Sequence, residues 1–274
     1  AAVRYGLAQA LPLTLTTLFV NLYFRIDMTI LAKLRPEAEV GWYGAAHKCV
    51  EVLMVVPAVL VMATFPGFSK LFVEDRPRLE RAFQKVMRLL LLLAAPLAGG
   101  SLLVGTPLMT LVFGSVFAPS GLALAWLALA LAFIFLNYPL AIVLISGQRQ
   151  KINALVAGLA VVVSVAANLL LVPRFGYLGA AAAAAITEGC LFAAYFLAVR
   201  RTLFHVSILG PGLRVLAATV VMVLALWPLR AWHPVLVIAL GALVYAAAAW
   251  LFRVVQPEDW ELARKIFQRG PSHA

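Results

Sequence analysis

Six ionisable side chains fall inside stretches otherwise apolar enough to cross a membrane: Arg25, Asp27, His47, Lys48, Glu51 and Glu188. A lone Arg or Asp at the centre of a membrane helix costs about 2.5 to 3.5 kcal/mol on insertion scales, so such groups face a partner or water. Arg25 and Asp27 stand in NLYFRIDMTILAKL, Asn21 to Leu34. At 100° per residue, Thr14, Thr17, Asn21 and Arg25 form one stripe, and Gln9, Thr16, Tyr23 and Asp27 lie on nearly the opposite side. A helix polar on two faces predicts a hydrated cavity on one side and a neighbouring helix on the other. In the next span Lys48 and Glu51 are three apart and His47 and Glu51 four apart, spacings that allow local pairing. Asp27 and Lys48, on consecutive antiparallel helices, could also meet. A structural ion pair remains the alternative reading of Arg25 with Asp27.

The neutral polar positions extend the pattern. Asn153, Ala157, Ala160, Ser164 and Asn168 make a small and polar stripe, and Asn137 stands beside Tyr138 and Pro139. Ordinary packing through small residues and interhelical hydrogen bonds would account for either feature as well. Glu188 follows a run of alanines that admits a close neighbouring backbone. It stays open between a packing role in protonated form and a functional one.

Other chemistries find no support. His47, His205, His233 and His273 are scattered without zinc-type spacing, and no phosphate-binding loop occurs. The expectation is therefore no metal, no cofactor and no enzyme. Glu74 and Asp75, in FVEDRPRLE, read as a solvated turn among basic residues.

The elements that must position these groups follow from composition. Only 12% of residues are charged and 64% are hydrophobic, with a mean hydropathy of +1.00; an ordinary soluble domain is about 25% charged. In hydrocarbon only helices and closed barrels satisfy their backbone, and unbroken runs such as LLLLLAAPLA favour helices. The predicted fold is an all-α polytopic membrane bundle of eight spans: Leu7 to Leu31, Tyr43 to Phe65, Val86 to Val104, Leu122 to Ile145, Ile152 to Leu171, Ala180 to Val199, Leu213 to Leu229 and Val235 to Phe252. The last two, with only Thr219 and Tyr245 as mildly polar positions, read as peripheral and lipid-facing. Cys49 and Cys190 lie inside spans, which argues against a disulfide framework. The start AAVRYG, without a methionine, suggests a fragment, a trimmed chain or a processed one.

The net charge of +11 reads as topology, with no nucleic-acid partner, because the basic residues gather between spans. Sixteen Lys and Arg fall on the side holding both termini and four on the other. The positive-inside rule then predicts a multi-pass protein of the inner (plasma) membrane with both termini cytoplasmic. Gly41 to Ala46 and Gly176 to Ala181 share a Gly, aromatic, Gly, Ala, Ala pattern that hints at an internal repeat; chance similarity between alanine-rich helix starts is the other reading. Pro57, Pro96 and Pro139 could break their spans, as in transporters, or simply be tolerated.

FRIDMTILAKL followed by VGWYGAAHKCVEVLMVVPAVLVMATFPGFSKL, then PLMTLVFGSVF, NYPLAIVLISGQRQK and NLLLVPRFGYLGAAAAAAITE, occur in an order that resembles the C-terminal half of the polysaccharide flippases. These belong to the multidrug, oligosaccharidyl-lipid and polysaccharide exporter (MOP) superfamily. The resemblance covers about the first 200 residues and the last two helices only by hydrophobicity. It implies one six-helix lobe, residues 1–204, plus two further helices and a cytoplasmic tail, residues 205–274. The partner lobe at the amino-terminal side is then missing.

It also implies alternating-access export of a lipid-linked oligosaccharide of undecaprenyl type, among membrane lipids. Asn21 and Arg25, with Asn137 and Asn168, would bind substrate, the guanidinium gripping pyrophosphate or an acidic sugar. Asp27, Lys48 and Glu51 would form an ion-pair network that couples to protons or sodium, with His47 and Glu188 in the same ion-handling set. Competing readings are a lipid II flippase of peptidoglycan synthesis, a membrane-embedded polyprenyl-phosphate sugar transferase, and a purely structural subunit.

Overall fold

Backbone groups in hydrocarbon have no partner but one another, and the apolar runs of this chain resolve that demand entirely into helices. The computed structural model describes the backbone of residues 2–254 and side chains from residue 14. In chain order the helices are α1 (Ala2–Leu34), α2 (Glu37–Glu74), α3 (Arg76–Phe113), α4 (Ser120–Ser146), α5 (Gln150–Thr202), α6 (Leu209–Leu226) and α7 (Pro234–Leu251), with short 3-10 turns at Ser115–Phe117 and Trp227–Leu229. All seven are long and apolar enough to cross a membrane. Gln9 and the charges beyond residue 254 lie outside the described side chains.

α5 contains two of the predicted spans. Its 53 residues break at Gly176 (φ 59, ψ −136), a conformation that residues with a Cβ rarely adopt. Beyond the break the chain runs back on itself: Gly179 lies against the main chain of Leu171, and Tyr195 on the second arm donates to Asn153 Oδ1 on the first at 2.7 Å. The arms, 150–175 and 177–202, therefore cross separately, so the seven helices make eight crossings.

The helices outrun the predicted spans. α2 and α3 have 38 residues each, roughly 57 Å at 1.5 Å per residue, against about 30 Å of hydrocarbon. Their excess is the polar joint between them, where Asp75 accepts from the Arg78 main-chain N–H at 3.0 Å and pairs with its guanidinium at 3.1 Å. Pro77 sits in the first turn of α3, where a missing N–H costs nothing. Pro57, Pro96 and Pro139 leave their helices unbroken; among the described residues the break falls at a glycine instead.

Packing does not follow chain order. α4 and α5 form the centre, α1 runs along α5 and touches α2 only lightly, and α2 and α3 lean on α4. Tyr43, Phe83, Leu131, Phe135 and Leu140 are fully buried there. In lipid such packing, more than solvent exclusion, holds helices together. A second core of Leu103, Val104, Ala218, Met222 and Val237 binds α6 and α7 to α3. The last two helices turn Leu216, Leu224 and Leu243 outward, in keeping with their reading as peripheral, while their two polar positions, Thr219 and Tyr245, face inward. Both are buried, with the Thr219 hydroxyl donating to its own helix and Tyr245 donating to the Leu92 carbonyl at 2.9 Å.

Candidate functional site

The two faces of α1 part company in the structure. Tyr23 and Asp27, one turn apart, point inward to α5, while Asn21 and Arg25 are exposed on the other side. Asp27 accepts three hydrogen bonds: from Asn168 Nδ2 at 2.6 Å and Ser164 Oγ at 3.0 Å, both on the first arm of α5, and from Tyr43 Oη of α2 at 3.2 Å. The amide of Asn168 is held in place by a second donation to the Ser164 carbonyl at 2.9 Å. Three helices thus converge on one carboxylate with neutral donors only.

A second buried carboxylate lies deeper. Glu188, on the second arm of α5, accepts from Tyr23 Oη at 3.0 Å and from Asn137 Nδ2 of α4 at 2.8 Å. The same amide reaches the Glu188 main-chain carbonyl at 3.2 Å. Twelve residues separate Glu188 from the turn at Gly176, about 18 Å along the helix. Asp27 and Glu188 both line one cavity of about 30 Å³, together with Tyr23, Tyr43, His47 and Ser164. That is room for about two waters, in a setting polar enough to hold them.

The remaining predicted groups lie elsewhere. Lys48 does not meet Asp27; it pairs with Glu51 at 2.8 Å on the exposed face of α2, with side chains 71% and 47% exposed. Its position a full helix face away from Asp27 excludes the three-membered ion-pair network. His47 borders the cavity and stands 3.9 Å from Glu51, between the buried and exposed groups. The Asn21 amide donates to the Thr17 carbonyl of its own helix at 2.8 Å. Among the described residues no carboxylate pairs with Arg25. No cluster of three or more metal-ligating side chains occurs among the described residues.

Tyr23, Tyr43 and Ser164 escaped selection as site residues. Tyr23 had a usable signal, since it shares a helix face with Asp27; the role of Tyr43, in an aromatic motif at a helix start, was visible only once α2 was placed. At the end of the bundle holding the Gly176 turn, the two Gly-aromatic-Gly motifs meet, with the rings of Trp42 and Tyr177 edge to face at 5.4 Å. Glu39 there accepts from the Tyr177 main-chain N–H at 2.9 Å and pairs with Arg35 at 2.9 Å. A carboxylate from one helix thereby caps the positive end of another.

Comparison with known proteins fits this geometry. Residues 2–121 match the family described as Polysaccharide biosynthesis protein. No curated protein sequence matches the chain. Among solved structures, the lipid II flippase MurJ in an inward closed conformation superposes with a TM-score of 0.77 at 16% identity, over 91% of this chain and 54% of that one. An outward-facing multidrug resistance MATE family transporter of the MOP superfamily superposes with a TM-score of 0.58 at 17% identity, over 92% of this chain and 65% of that one. The chain thus spans about half the length of the flippase it matches. With a polysaccharide biosynthesis family matched over its first helices and both transporters superposing on nine-tenths of its length, this multi-pass membrane chain shares the fold of those two transporters.

Proposed function

We propose that the chain is the C-terminal lobe, with two added helices, of a transporter that flips a lipid-linked oligosaccharide across the inner membrane by alternating access. Residues 1–204 form the lobe and residues 205–274 the addition, both termini are cytoplasmic, and a second lobe closes the other wall of the cavity. The carrying observation is Arg25, a guanidinium at membrane depth, exposed on the face of α1 turned away from its own bundle and unpaired with any described acid. On that face it meets the headgroup of a passing substrate, whose pyrophosphate or acidic sugar supplies the missing anion in bidentate geometry. Asn21 lies one turn away on the same face and adds a polar contact. Asn137 and Asn168 serve the buried carboxylates, not the substrate.

Ion coupling belongs to Asp27. A carboxylate on one helix fixed by donors from two others changes charge or occupancy only with a rearrangement of those helices, the property a coupling site needs. The chain does no bond chemistry in this reading, in which its two buried carboxylates, Asp27 and Glu188, serve the cavity between the helices. A lipid II substrate is the second reading, favoured by the superposition on the lipid II flippase.

The test is a proteoliposome assay of the full-length protein with a fluorescent lipid-linked oligosaccharide, with and without an ion gradient. Arg25→Ala is expected to slow flipping at least about tenfold, the equivalent of one lost charge-assisted contact of about 1.4 kcal/mol or more, while the melting temperature stays put. Unchanged flipping by that variant refutes the reading.

A further inference from the structure

We propose that Glu188 is a proton-holding site distinct from Asp27, serving the cavity that the two carboxylates share. Its use in transport rests on the reading above; its chemistry does not. Both side chains line the same 30 Å³ cavity, and no Lys or Arg lines it. The ionisable groups facing Glu188 are Tyr23 and Asp27 on α1, Tyr138 on α4 and Tyr195 on its own arm, while Tyr43 and His47 on α2 border the cavity. None of them brings a permanent positive charge. Two carboxylates close together in a poorly solvated place cannot both keep their charge without a counter-ion, and one proton removes the conflict.

Hydrogen-bond supply decides which carboxylate takes it. Asp27 has three donors, and the amide of Asn168 is pinned in the donating orientation by Ser164. That set is built for an anion. Glu188 has two donors, Tyr23 and Asn137. Each carboxylate has beside it a buried amide oxygen with no donor of its own, Asn137 Oδ1 by Glu188 and Asn168 Oδ1 by Asp27, so the donor count, two against three, sets them apart. A proton on the carboxyl turns one acceptor into a donor. Either the Tyr23 hydroxyl oxygen or, with the amide turned, Asn137 Oδ1 stands at hydrogen-bond distance to receive it. The shared cavity, with its room for water, gives the proton a way to and from Asp27 and the partly exposed His47 on its border.

Infrared spectroscopy of the full-length protein in lipid tests this through the carbonyl stretch of a buried, protonated carboxylic acid at neutral pH. That band is expected in the unmodified protein and, unshifted, in Asp27→Glu, which keeps the second charge, and its loss is expected in Glu188→Gln, whose amide mimics the neutral acid and preserves the fold. Should the amide variant not fold, Glu188→Asp is expected to shift the band, since the acid then sits in a different hydrogen-bond set. Absence of the band from the unmodified protein, its survival in Glu188→Gln, an unshifted band in Glu188→Asp, or a shift of the band in Asp27→Glu overturns the assignment. Flipping measured on the same vesicles separates the two readings: a Glu188 band without flipping sinks the transporter, not the proton site.

Discussion

Gly41 and Gly176 open the two halves of the same sequence pattern, yet an added methyl group should do opposite things at them. Gly176 has φ 59 and ψ −136, and a Cβ built there runs into the Glu39 carboxylate. Backbone strain of this kind costs about 1 to 3 kcal/mol. Displacing Glu39 also breaks its bond to the Tyr177 N–H, a charge-assisted contact of about 1.5 to 3 kcal/mol. Gly176→Ala should therefore destabilise by about 3 to 5 kcal/mol. For a chain of this size that lowers the melting temperature by on the order of 10 °C. Gly41, in contrast, lies within α2 and a Cβ there meets nothing within 4 Å. Gly41→Ala should stabilise by about 0.5 to 1 kcal/mol, the helix preference of alanine over glycine. Thermal unfolding of the detergent-solubilised protein, followed by size-exclusion chromatography with fluorescence detection, measures both. Equal shifts, or a harmless Gly176→Ala, would refute the account of how α5 turns back.

Three further outcomes are expected. Asp27→Ala leaves Tyr43, Ser164 and Asn168 without their shared acceptor and should cost about 3 kcal/mol or more, whereas Asp27→Asn retains part of the set and should cost about half as much; melting curves rank the two. Gly99→Ala sets a methyl 2.5 Å from Thr219 Cγ2 and should loosen α6 from α3 by about 1 to 3 kcal/mol, and a double-mutant cycle with Thr219→Ser, which removes that methyl and keeps the hydroxyl, should recover most of the loss. Lys48→Ala or Glu51→Ala breaks an exposed pair and should change stability by less than about 1 kcal/mol; a larger drop in the melting temperature would mean the pair is shielded from solvent.

What could be read from the sequence followed the physics that is local to a helix. Apolar run length gave eight crossings, because a membrane fixes the length of a span regardless of its neighbours. The two polar faces of α1 were legible for the same reason, since 100° per residue is a property of one helix. Partner identity was not. Asp27 and Lys48 looked adjacent because their helices are adjacent in the chain, but α1 packs on α5 and meets residues 164 and 168 instead. The polar stripe of residues 153–168 was visible as a stripe, and its alternative as ordinary packing was well founded: Ser164 and Asn168 hold a carboxylate, while Asn153 only ties the arms of α5 together. Of the two readings left open for the prolines, tolerance is the one seen at Pro57, Pro96 and Pro139. Neighbouring helices can support a helix across a proline, whereas no neighbour relieves a backbone at positive φ.

The distance along the chain between Asp27 and its donors has a consequence for biosynthesis. During synthesis α1 reaches the bilayer long before Ser164 and Asn168 exist, and of its eventual partners only Tyr43 arrives early. At about 5 to 20 residues per second, the ribosome needs on the order of ten seconds to deliver the rest. For that interval a polar helix must wait at the insertion site with its acid unquenched, so delays in translation downstream of α2 should be felt as degradation of α1, made well before the residues that secure it.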